Sequence, residues 1–263
     1  MRILFIGDIV GRPGRTIVIN NLDLIREEKN IDYIIANAEN ASGGVGLSPS
    51  NAYTLLDSGI DLITGGNHIF QHKEYEALFE SYPQIIRPAN YPPSVPGKGH
   101  YVIQHRGSDP VGVINLIGRT FMDPLDCPFR TVDSLLDEIS DEAKIIVVDF
   151  HAEATSEKVT MGWYLNGRVS MVLGTHTHVQ TADEKILEKG TAYITDVGMT
   201  GPSDAVIGVN RDAILKRFLT GLPVRFTVAK GPCMLNSVIV DVDQKNGKAI
   251  SIERFNLEEE FNG

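Results

Sequence analysis

The sequence is dominated by short apolar runs that are rich in β-branched residues and end in polar ones. Nearly continuous apolar runs of this length are typical of strands that are covered on both faces. The pattern predicts seven such strands, RILFIGD (2–8), YIIANAEN (33–40), DLITGGNH (61–68), GVINL (112–116), IIVVDFH (145–151), MVLGTHTH (171–178) and AYITD (192–196).

Segments with helical spacing of apolar residues lie between these runs. Ser48-Pro49 places a cap residue and then proline at a helix start, and Gly59 follows where a helix would end. Besides this helix, the spacing predicts helices near 15–28, 72–81, 131–140, 156–165 and 211–219. Strands that alternate with helices indicate βαβ units, so we expect an α/β protein with largely parallel strands.

The pattern changes after Pro223, where strand-like segments follow one another without helices. They are RFTVAK (225–230), SVIVDVD (237–243) and KAISIERF (248–255), and an Asn246-Gly247 turn between the last two predicts an antiparallel hairpin. We expect these strands to join a mixed sheet or to form a second packed sheet. The length and the lack of a linker predict a single domain spanning 1–263.

The charge balance restricts the partners. The chain has 24 basic and 34 acidic residues and a formal charge of −10, which disfavours binding to extended nucleic acid. The two cysteines, Cys127 and Cys233, lack ligand-like spacing and favour a reducing compartment. No apolar run has the length of a membrane span, so we expect a cytoplasmic protein without a membrane partner.

Polar side chains collect where the predicted strands end, and this is the strongest functional signal. A lone aspartate there would be a turn former, and a lone buried histidine would be a core residue. Turn chemistry does not explain three histidines, two carboxylates and two asparagines at one sheet edge, where α/β proteins bind ligands. The conjunction predicts a metal site formed by Asp8, Glu39, Asn40, Asn67, His151, His176 and His178, with His68 beside it.

The segment GTHTHVQTAD (174–183) places two histidines one residue apart. Residues i and i+2 of a strand point to the same side, whereas those of a helix do not. We therefore expect His176 and His178 at the end of a strand, directed at one shared ligand.

The number of donors favours two metal ions. A tetrahedral zinc site needs four ligands, whereas two ions that share a bridging carboxylate use all seven donors. Nitrogen and oxygen donors without thiolate suit iron, manganese or zinc and do not choose among them. For the two divalent or mixed-valence ions we favour iron or manganese, with zinc as the alternative. The charges of two divalent ions exceed those of Asp8, Glu39 and a bridging hydroxide by about one positive charge. This net positive charge would attract a phosphoryl group.

These motifs resemble those of the calcineurin-like metallophosphoesterases and, among them, of the YmdB-like family of bacterial phosphodiesterases. The resemblance extends from Met1 to about Phe255. It rests on GDIVG (7–11), NAEN (37–40), GGNH (65–68), FHAEATSEK (150–158), GTHTHVQTAD (174–183) and AYITDVGMTGP (192–202).

The resemblance implies a fold, a ligand set and an activity. The fold would be a four-layer αββα sandwich, two β-sheets flanked by helices. One metal would be held by Asp8, Glu39, Asn40 and His178, and the other by Glu39, Asn67, His151 and His176, with Glu39 bridging. His68 would be the general acid, the substrates would be cyclic nucleotides including 2′,3′-cyclic ones, and the protein would form homo-oligomers.

Two residues differ from the usual superfamily pattern. Val10 occupies the position of a histidine ligand, and Glu39 replaces the usual bridging aspartate. Both are features of the narrower family, but they prevent the transfer of metal identity from better-known phosphatases.

The predicted function is metal-dependent phosphodiester hydrolysis. A hydroxide that bridges two metals would attack phosphorus in line, and His68 would protonate the leaving oxygen. For His68, a third ligand or a supporting residue is the alternative. For the whole protein, the alternatives are a phosphomonoesterase, another dinuclear hydrolase, or a signalling module that binds metal and nucleotide with little turnover.

Some polar segments have no role in this prediction. The GRPGR segment (11–15) resembles an anion-binding corner, although a turn with surface arginines is favoured, and Gly43, Gly44 and Gly46 are equally ambiguous. Asp196 is interpreted as supporting or structural. Three connections, 87–99, 118–130 and 198–209, are long enough to be functional or mobile loops.

Overall fold

The computed structural model describes residues 1–105 and 107–260. Within them the helices are α1 (Gly11–Lys29), α2 (Pro49–Asp57), α3 (Tyr75–Ser81), α4 (Pro128–Ile139), α5 (Thr155–Tyr164) and α6 (Arg211–Thr220). The strands are β1 (Arg2–Ile6), β2 (Asp8–Ile9), β3 (Tyr33–Asn37), β4 (Leu62–Thr64), β5 (Ile85–Ile86), β6 (His100–Ile103), β7 (Val111–Ile117), β8 (Ile145–His151), β9 (Met171–Thr175), β10 (Lys185–Ile186), β11 (Ala192–Ile194), β12 (Met199–Pro202), β13 (Cys233–Val242) and β14 (Ala249–Glu259).

All six predicted helices are present, with shifted ends. The Ser48 hydroxyl accepts a hydrogen bond from the Asn51 backbone N–H at 3.2 Å, so it caps α2 as the sequence indicates. Helix α1 begins at Gly11, four residues before its predicted start. Pro13 lies in its first turn, where no N–H is needed for the helix.

The first sheet has a parallel half and an antiparallel half that meet at β1. Strands β1, β3, β4 and β5 are parallel neighbours in that order. On its other side β1 pairs with the antiparallel β13, and β13 pairs with β14. Beyond the end of β1, β13 also pairs with β12, and β12 pairs with β2. The predicted hairpin is therefore confirmed and lies inside the first sheet.

The second sheet has the strand order β10-β11-β9-β8-β7-β6. Its four central strands are parallel, and its two edge strands are antiparallel to their neighbours. The prediction of largely parallel strands is confirmed for the second sheet and for β1, β3, β4 and β5 of the first, whereas the pairings of β13 are antiparallel.

Alternation of side chains along the strands builds three apolar layers. In β1, Ile3 and Phe5 pack in the cluster between the two sheets, whereas Leu4 and Ile6 pack in the cluster that includes α1 residues. In the second sheet, Val147 packs between the sheets, and its neighbours in β8 pack in a third cluster that contains α4 and α5 residues. This is the expected four-layer αββα sandwich.

One predicted strand is wrong. Segment 225–230 forms only an isolated bridge, between Val228 and Val209. Its neighbouring backbone hydrogen bonds, from Asn210 N to Thr227 O and from Ala229 N to Gly208 O, join it to a loop and not to a sheet. β-Branched composition alone did not reveal that this segment has no strand to pair with. Separately, no described helix is both long and apolar enough to cross a membrane.

Candidate metal centre

The predicted site residues lie together at the carboxyl ends of strands from both sheets. From the first sheet, Asp8 lies in β2, while two residues follow β3 and two follow β4. From the second sheet, one residue ends β8 and two follow β9. The residues at or after the ends of β3, β4, β8 and β9 are Glu39, Asn40, Asn67, His68, His151, His176 and His178.

One set of donors surrounds the Nε2 atom of His151. This atom lies 2.9 Å from Asn67 Oδ1, 3.1 Å from His176 Nδ1 and 3.3 Å from Glu39 Oε1. Donor atoms of Glu39, His151 and His176 all lie within 4.8 Å of one another. The structure thus brings together the four residues expected for one of the two metals.

The second set is adjacent and shares Glu39. Asn40 Nδ2 lies 3.0 Å from Glu39 Oε1 and 3.2 Å from His178 Nε2. Asp8 is fully buried, and its Oδ1 atom has no hydrogen-bond partner among the described residues. His151 Nδ1 lies 3.8 Å from this oxygen. Glu39, Asn40 and His178 of the set expected for the other metal are therefore in contact, and Asp8 lies beside His151 and His176 of the first set.

The charges of the site are strongly coupled. Burial disfavours the charged imidazolium of His151, but Glu39, Asp8 and Asp149 outweigh burial and raise its pKa to about 9. Burial likewise disfavours the Glu39 carboxylate, but His151 and His68 hold its pKa well below the usual range. At His176, burial and the neighbouring His151 lower the pKa to about 3.

A hydrogen-bonded chain beneath the site fixes the His151 ring. Its Nδ1 lies 3.0 Å from Thr175 Oγ1, which donates at 2.7 Å to Asp149. Asp149 is fully buried and also accepts from Asn37 and Thr64, so its carboxylate ties β3 and β4 of one sheet to β8 of the other. Burial raises the pKa of Asp149 to about 6. Such support sets the orientation of a ligating imidazole.

The histidine pair adopts a geometry that the sequence did not predict. Strand β9 ends at Thr175, and His176 and His178 have φ angles of 101° and 67°, in the left-handed region. The expectation that both histidines extend a strand is wrong, because backbone N–H groups after Thr175 donate to carboxylates and not to a neighbouring strand. Asp8 accepts from the His176 N–H at 3.3 Å, and Asp196 accepts from the next N–H.

A buried ion pair holds this turn. Lys158 Nζ donates to the Thr175 carbonyl at 2.7 Å and pairs with Asp196, and both charged side chains are 1% exposed. Asp196 therefore has the supporting role expected for it. Lys158 was missed, although it occupies the buried face of α5, four residues after Ala154 and three before Met161. A lysine on an apolar helix face could have revealed it.

Two independent observations indicate that the site suits a cation. A Cβ at Gly66 would lie 2.4 Å from Glu39 Oε2 and 2.4 Å from His151 Nε2, so the backbone needs glycine to approach the donors. A buried carboxylate oxygen without a partner, as at Asp8, costs free energy unless a charged group compensates it. Imidazole, carboxylate and amide donors together suit transition metals of intermediate softness.

The donors open on a cleft with an apolar wall. A cavity of about 270 Å³ is lined by Asn40, His68 and His178 on one side. Apolar residues line the other side, and three of them are strongly exposed: Val45 at 42%, Ile207 at 49% and Phe226 at 51%. The predicted 198–209 loop is wrong in its first half, which forms β12, but its second half reaches the site, because the Ile207 carbonyl lies 3.1 Å from His178 Nδ1.

Comparison with known proteins identifies the family. The model of the YmdB-like protein family matches residues 4–255. The chain belongs to the YmdB-like family. It is 51% identical over 254 residues to the 2′,3′-cyclic-nucleotide 2′-phosphodiesterase of Bacillus subtilis (strain 168), covering 97% of this chain and 96% of that protein. The family resemblance inferred from the motifs is thus confirmed.

Solved structures show the same fold. A hypothetical protein from Thermus thermophilus matches with a TM-score of 0.93 at 45% identity, covering 98% of this chain and 100% of that one. A phosphatase from Mycoplasma pneumoniae matches with a TM-score of 0.93 at 35% identity, covering 100% and 95%. The predicted fold and the predicted enzyme class, a phosphoric diester hydrolase of the metallophosphoesterase type, are confirmed for this YmdB-like chain.

Proposed function

We propose that this YmdB-like protein is a two-metal phosphodiesterase that hydrolyses cyclic nucleotides, 2′,3′-cyclic ones in preference to 3′,5′-cyclic ones. The observation that carries the proposal is the convergence of seven metal-type donors beside a partly exposed histidine. The substrate class is supported by the B. subtilis relative, which is a 2′,3′-cyclic-nucleotide 2′-phosphodiesterase.

Two ions would be held by overlapping ligand sets that share Glu39. The first set is Asp8, Glu39, Asn40 and His178, and the second is Glu39, Asn67, His151 and His176. When bound, the ions would supply Lewis acidity toward the phosphoryl oxygens and would lower the pKa of a water molecule. The donor set suits iron, manganese or zinc; we propose iron or manganese, with zinc as the alternative.

Asn40 has two competing partners in this arrangement. Its Oδ1 faces His68 Nδ1 at 2.7 Å, and its Nδ2 faces Glu39 and His178. Oxygen, not nitrogen, is the amide atom that ligates a cation. A half-turn of the amide would direct Oδ1 toward Glu39 and His178, where we place the first metal.

We assign the role of general acid to His68. Its side chain is 32% exposed, whereas that of His151 is 0% exposed, so only His68 of this pair faces a ligand in the cleft. Its Nδ1 is engaged by Asn40 and lies 3.2 Å from Glu39 Oε1, so Nε2 is the nitrogen that remains for the substrate. An imidazole N–H at that position can deliver a proton to a leaving oxygen.

These residues account for a complete reaction. Water would add to phosphorus and release a proton to the solvent, the bond between phosphorus and the 2′ oxygen would break, and His68 Nε2 would give its proton to that oxygen and regain one from the solvent. The product is a nucleoside 3′-phosphate. The exposed apolar wall of the cleft, with Val45, Ile207 and Phe226, offers a surface on which a base can stack.

We further propose that the whole chain acts as one domain and forms homo-oligomers in a reducing compartment. Both cysteines are free. Helix α6 and the loop after it expose a contiguous set of large apolar side chains, including Phe218 and Leu219, each 83% exposed. An exposed apolar patch is typical of an interface. Light scattering of wild-type protein and of Phe218→Asp tests this, because the variant is expected to dissociate.

The experiment that tests the function is a substrate panel. Metal-loaded protein is assayed with 2′,3′-cyclic AMP, 3′,5′-cyclic AMP and p-nitrophenyl phosphate, with and without a chelator, and the product nucleotides are quantified. We expect chelator-sensitive turnover with 2′,3′-cyclic AMP preferred and 3′-AMP as its product. Preference for the monoester would support a phosphomonoesterase, and no turnover by protein that holds two metals would support a binding module.

A further inference from the structure

A second, larger cavity lies next to the cleft beside His68. It has a volume of about 690 Å³. The two cavities share the wall formed by Gly43 and by Phe226, Thr227 and Val228. A ligand with its reacting phosphate at the metal centre could therefore extend past Phe226 into the second cavity.

The lining of this second cavity is cationic. Four basic residues line it, Arg12, Arg15, Arg225 and Lys230, and His72 lies among them. No aspartate or glutamate belongs to its described lining, although the protein carries a formal charge of −10. Among residues 1–105 and 107–260, none of the four basic residues forms an ion pair with a carboxylate.

Two helix N-termini add to this positive potential. The first turn of α1 contains no acidic residue and instead carries Arg12, with Arg15 one turn on. The first turn of α2, which also contains no acidic residue, contributes Asn51 to the same cavity. The basic side chains and the positive ends of the helix dipoles repel one another, and an anion bound between them would offset this repulsion.

Arg15 shows that this charge is held in place. Its Nη1 donates a hydrogen bond to the Ala41 carbonyl, which fixes the guanidinium at the wall of the cavity. Burial and then the neighbouring Arg12 lower the pKa of Arg15. Burial and the repulsion from Arg12 both disfavour the charged form of Arg15, and a bound anion would stabilise that charged form.

We propose that this cavity binds a second phosphate group of the substrate, the one attached to the 5′ oxygen of the nucleoside whose cyclic phosphate is hydrolysed. The proposal rests on the proposed function and names its substrate class, a nucleoside 2′,3′-cyclic phosphate with a 5′-phosphoryl group. That group is either a free 5′-phosphate or the linking diester of a short oligonucleotide. A 2′,3′-cyclic nucleotide has its 5′ oxygen free to carry it, whereas in a 3′,5′-cyclic nucleotide the ring occupies that oxygen.

The site suits one additional phosphate and not a long strand. Its four basic side chains and two helix N-termini are confined to a single cavity. The net charge of −10 would repel further phosphates outside it. The apolar wall that joins the two cavities, with Phe226 and Val228, would contact the nucleoside between the two phosphates.

The test compares substrates that differ only at the 5′ position. The kcat/KM is measured for 2′,3′-cyclic AMP, for its 5′-phosphorylated form and for the dinucleotide ApA with a 2′,3′-cyclic end. In the wild type the two 5′-phosphorylated substrates are expected to exceed 2′,3′-cyclic AMP by at least about tenfold, through a lower KM, which corresponds to one charge-assisted hydrogen bond. The preference of one over the other distinguishes a free 5′-phosphate from a linking diester.

The double variant Arg225→Gln with Lys230→Gln is expected to lose this advantage and to keep the wild-type kcat/KM for 2′,3′-cyclic AMP. The control Arg130→Gln with Lys245→Gln removes the same charge at exposed positions outside both cavities and is expected to keep the advantage. The proposal is overturned if the wild type shows no 5′-phosphate advantage, or if the control loses it as the double variant does.

A binding measurement separates this proposal from the catalytic one. Dissociation constants of adenosine 3′,5′-bisphosphate and of 3′-AMP are determined by calorimetry on metal-loaded protein, which needs no turnover. We expect the bisphosphate to bind at least about tenfold more tightly to the wild type and to lose that margin in the Arg225→Gln/Lys230→Gln variant. Equal affinities in the wild type refute the second site, whereas a lack of cyclic AMP turnover alone refutes only the catalytic proposal.

Discussion

Replacing Gly66 by alanine is expected to disable the metal centre while the protein remains folded. The new Cβ would lie 2.4 Å from both Glu39 Oε2 and His151 Nε2, whereas ordinary contacts of a Cβ begin at 3.4 Å. Glu39 and His151 are 1% and 0% exposed, so neither has free space into which to move. The φ angle of Gly66 is not in the left-handed region, so the backbone itself accepts alanine.

The size of the effect follows from this geometry. The two donors must retreat by about 1 Å, and a displacement of that size at a reacting centre can lower the rate about 100-fold. Overpacking of a buried site costs about 1–3 kcal/mol of unfolding free energy. A domain with a stability of about 5–15 kcal/mol survives such a loss. The expected variant is therefore folded, poor in metal and about 100-fold less active.

The assay for Gly66→Ala combines metal content after loading and dialysis, kcat/KM for 2′,3′-cyclic AMP, and thermal unfolding. Gly221→Ala is the matched control, because Gly221 has a φ of +68° and nothing within 4 Å of its would-be Cβ. The control loses about 1–2 kcal/mol through backbone strain but should keep metal and activity. A Gly66→Ala protein with full metal content and wild-type kcat/KM would refute the reasoning.

Three further predictions concern individual side chains. His68→Ala is expected to lower kcat about 100- to 10,000-fold with unchanged metal content, and a loss of metal from this variant would instead make His68 a ligand. Lys158→Met leaves Asp196 buried without its partner and should cost about 3–5 kcal/mol in denaturant unfolding; a loss below about 1 kcal/mol would contradict the role given to this ion pair. In protein stripped of metal, the His151 pKa is raised from 6.5 to about 9. Protonation of His151 therefore stabilises the folded state fully below about pH 6.5, and this stabilisation is lost as the pH rises through about 9. A bound cation must displace the His151 proton. Calorimetric metal titrations at about pH 7.5, in buffers of different ionisation enthalpy, should therefore show the release of about one proton from this residue. Release of no proton would contradict the assignment of His151 as a ligand.

Much of the fold follows from local patterns. Continuous apolar runs predicted the central strands of both sheets, and capping at Ser48 and the turn at Asn246-Gly247 placed a helix and a hairpin. The very short strands were not predictable, because two-residue segments such as β5 (Ile85–Ile86) carry no periodicity of their own. The strand predicted at 225–230 is wrong for the opposite reason. The composition of this segment favours a strand, but only an isolated bridge forms, at Val228.

The site was predictable to the extent that its residues follow strands. Parallel strands bring their carboxyl ends to one edge, so the eight residues could be grouped from strand positions alone. What the sequence did not reveal is the support beneath them. Asp149 is the one charged residue inside the apolar run 145–150, and Lys158 lies on an apolar helix face, but their partners are far away in sequence. The left-handed turn at His176 and His178 likewise depends on carboxylates from other strands.

The central claim is that two metal ions, held by the donors around Glu39, make this protein a phosphodiesterase. The most direct measurement is a titration of metal-stripped protein with Mn²⁺, in which bound metal per chain and the rate of 2′,3′-cyclic AMP hydrolysis are recorded in the same samples. The account predicts negligible turnover without metal and full turnover, with 3′-AMP as product, only as two ions bind per chain. Full turnover in stripped protein, or no turnover with two ions bound, would contradict it.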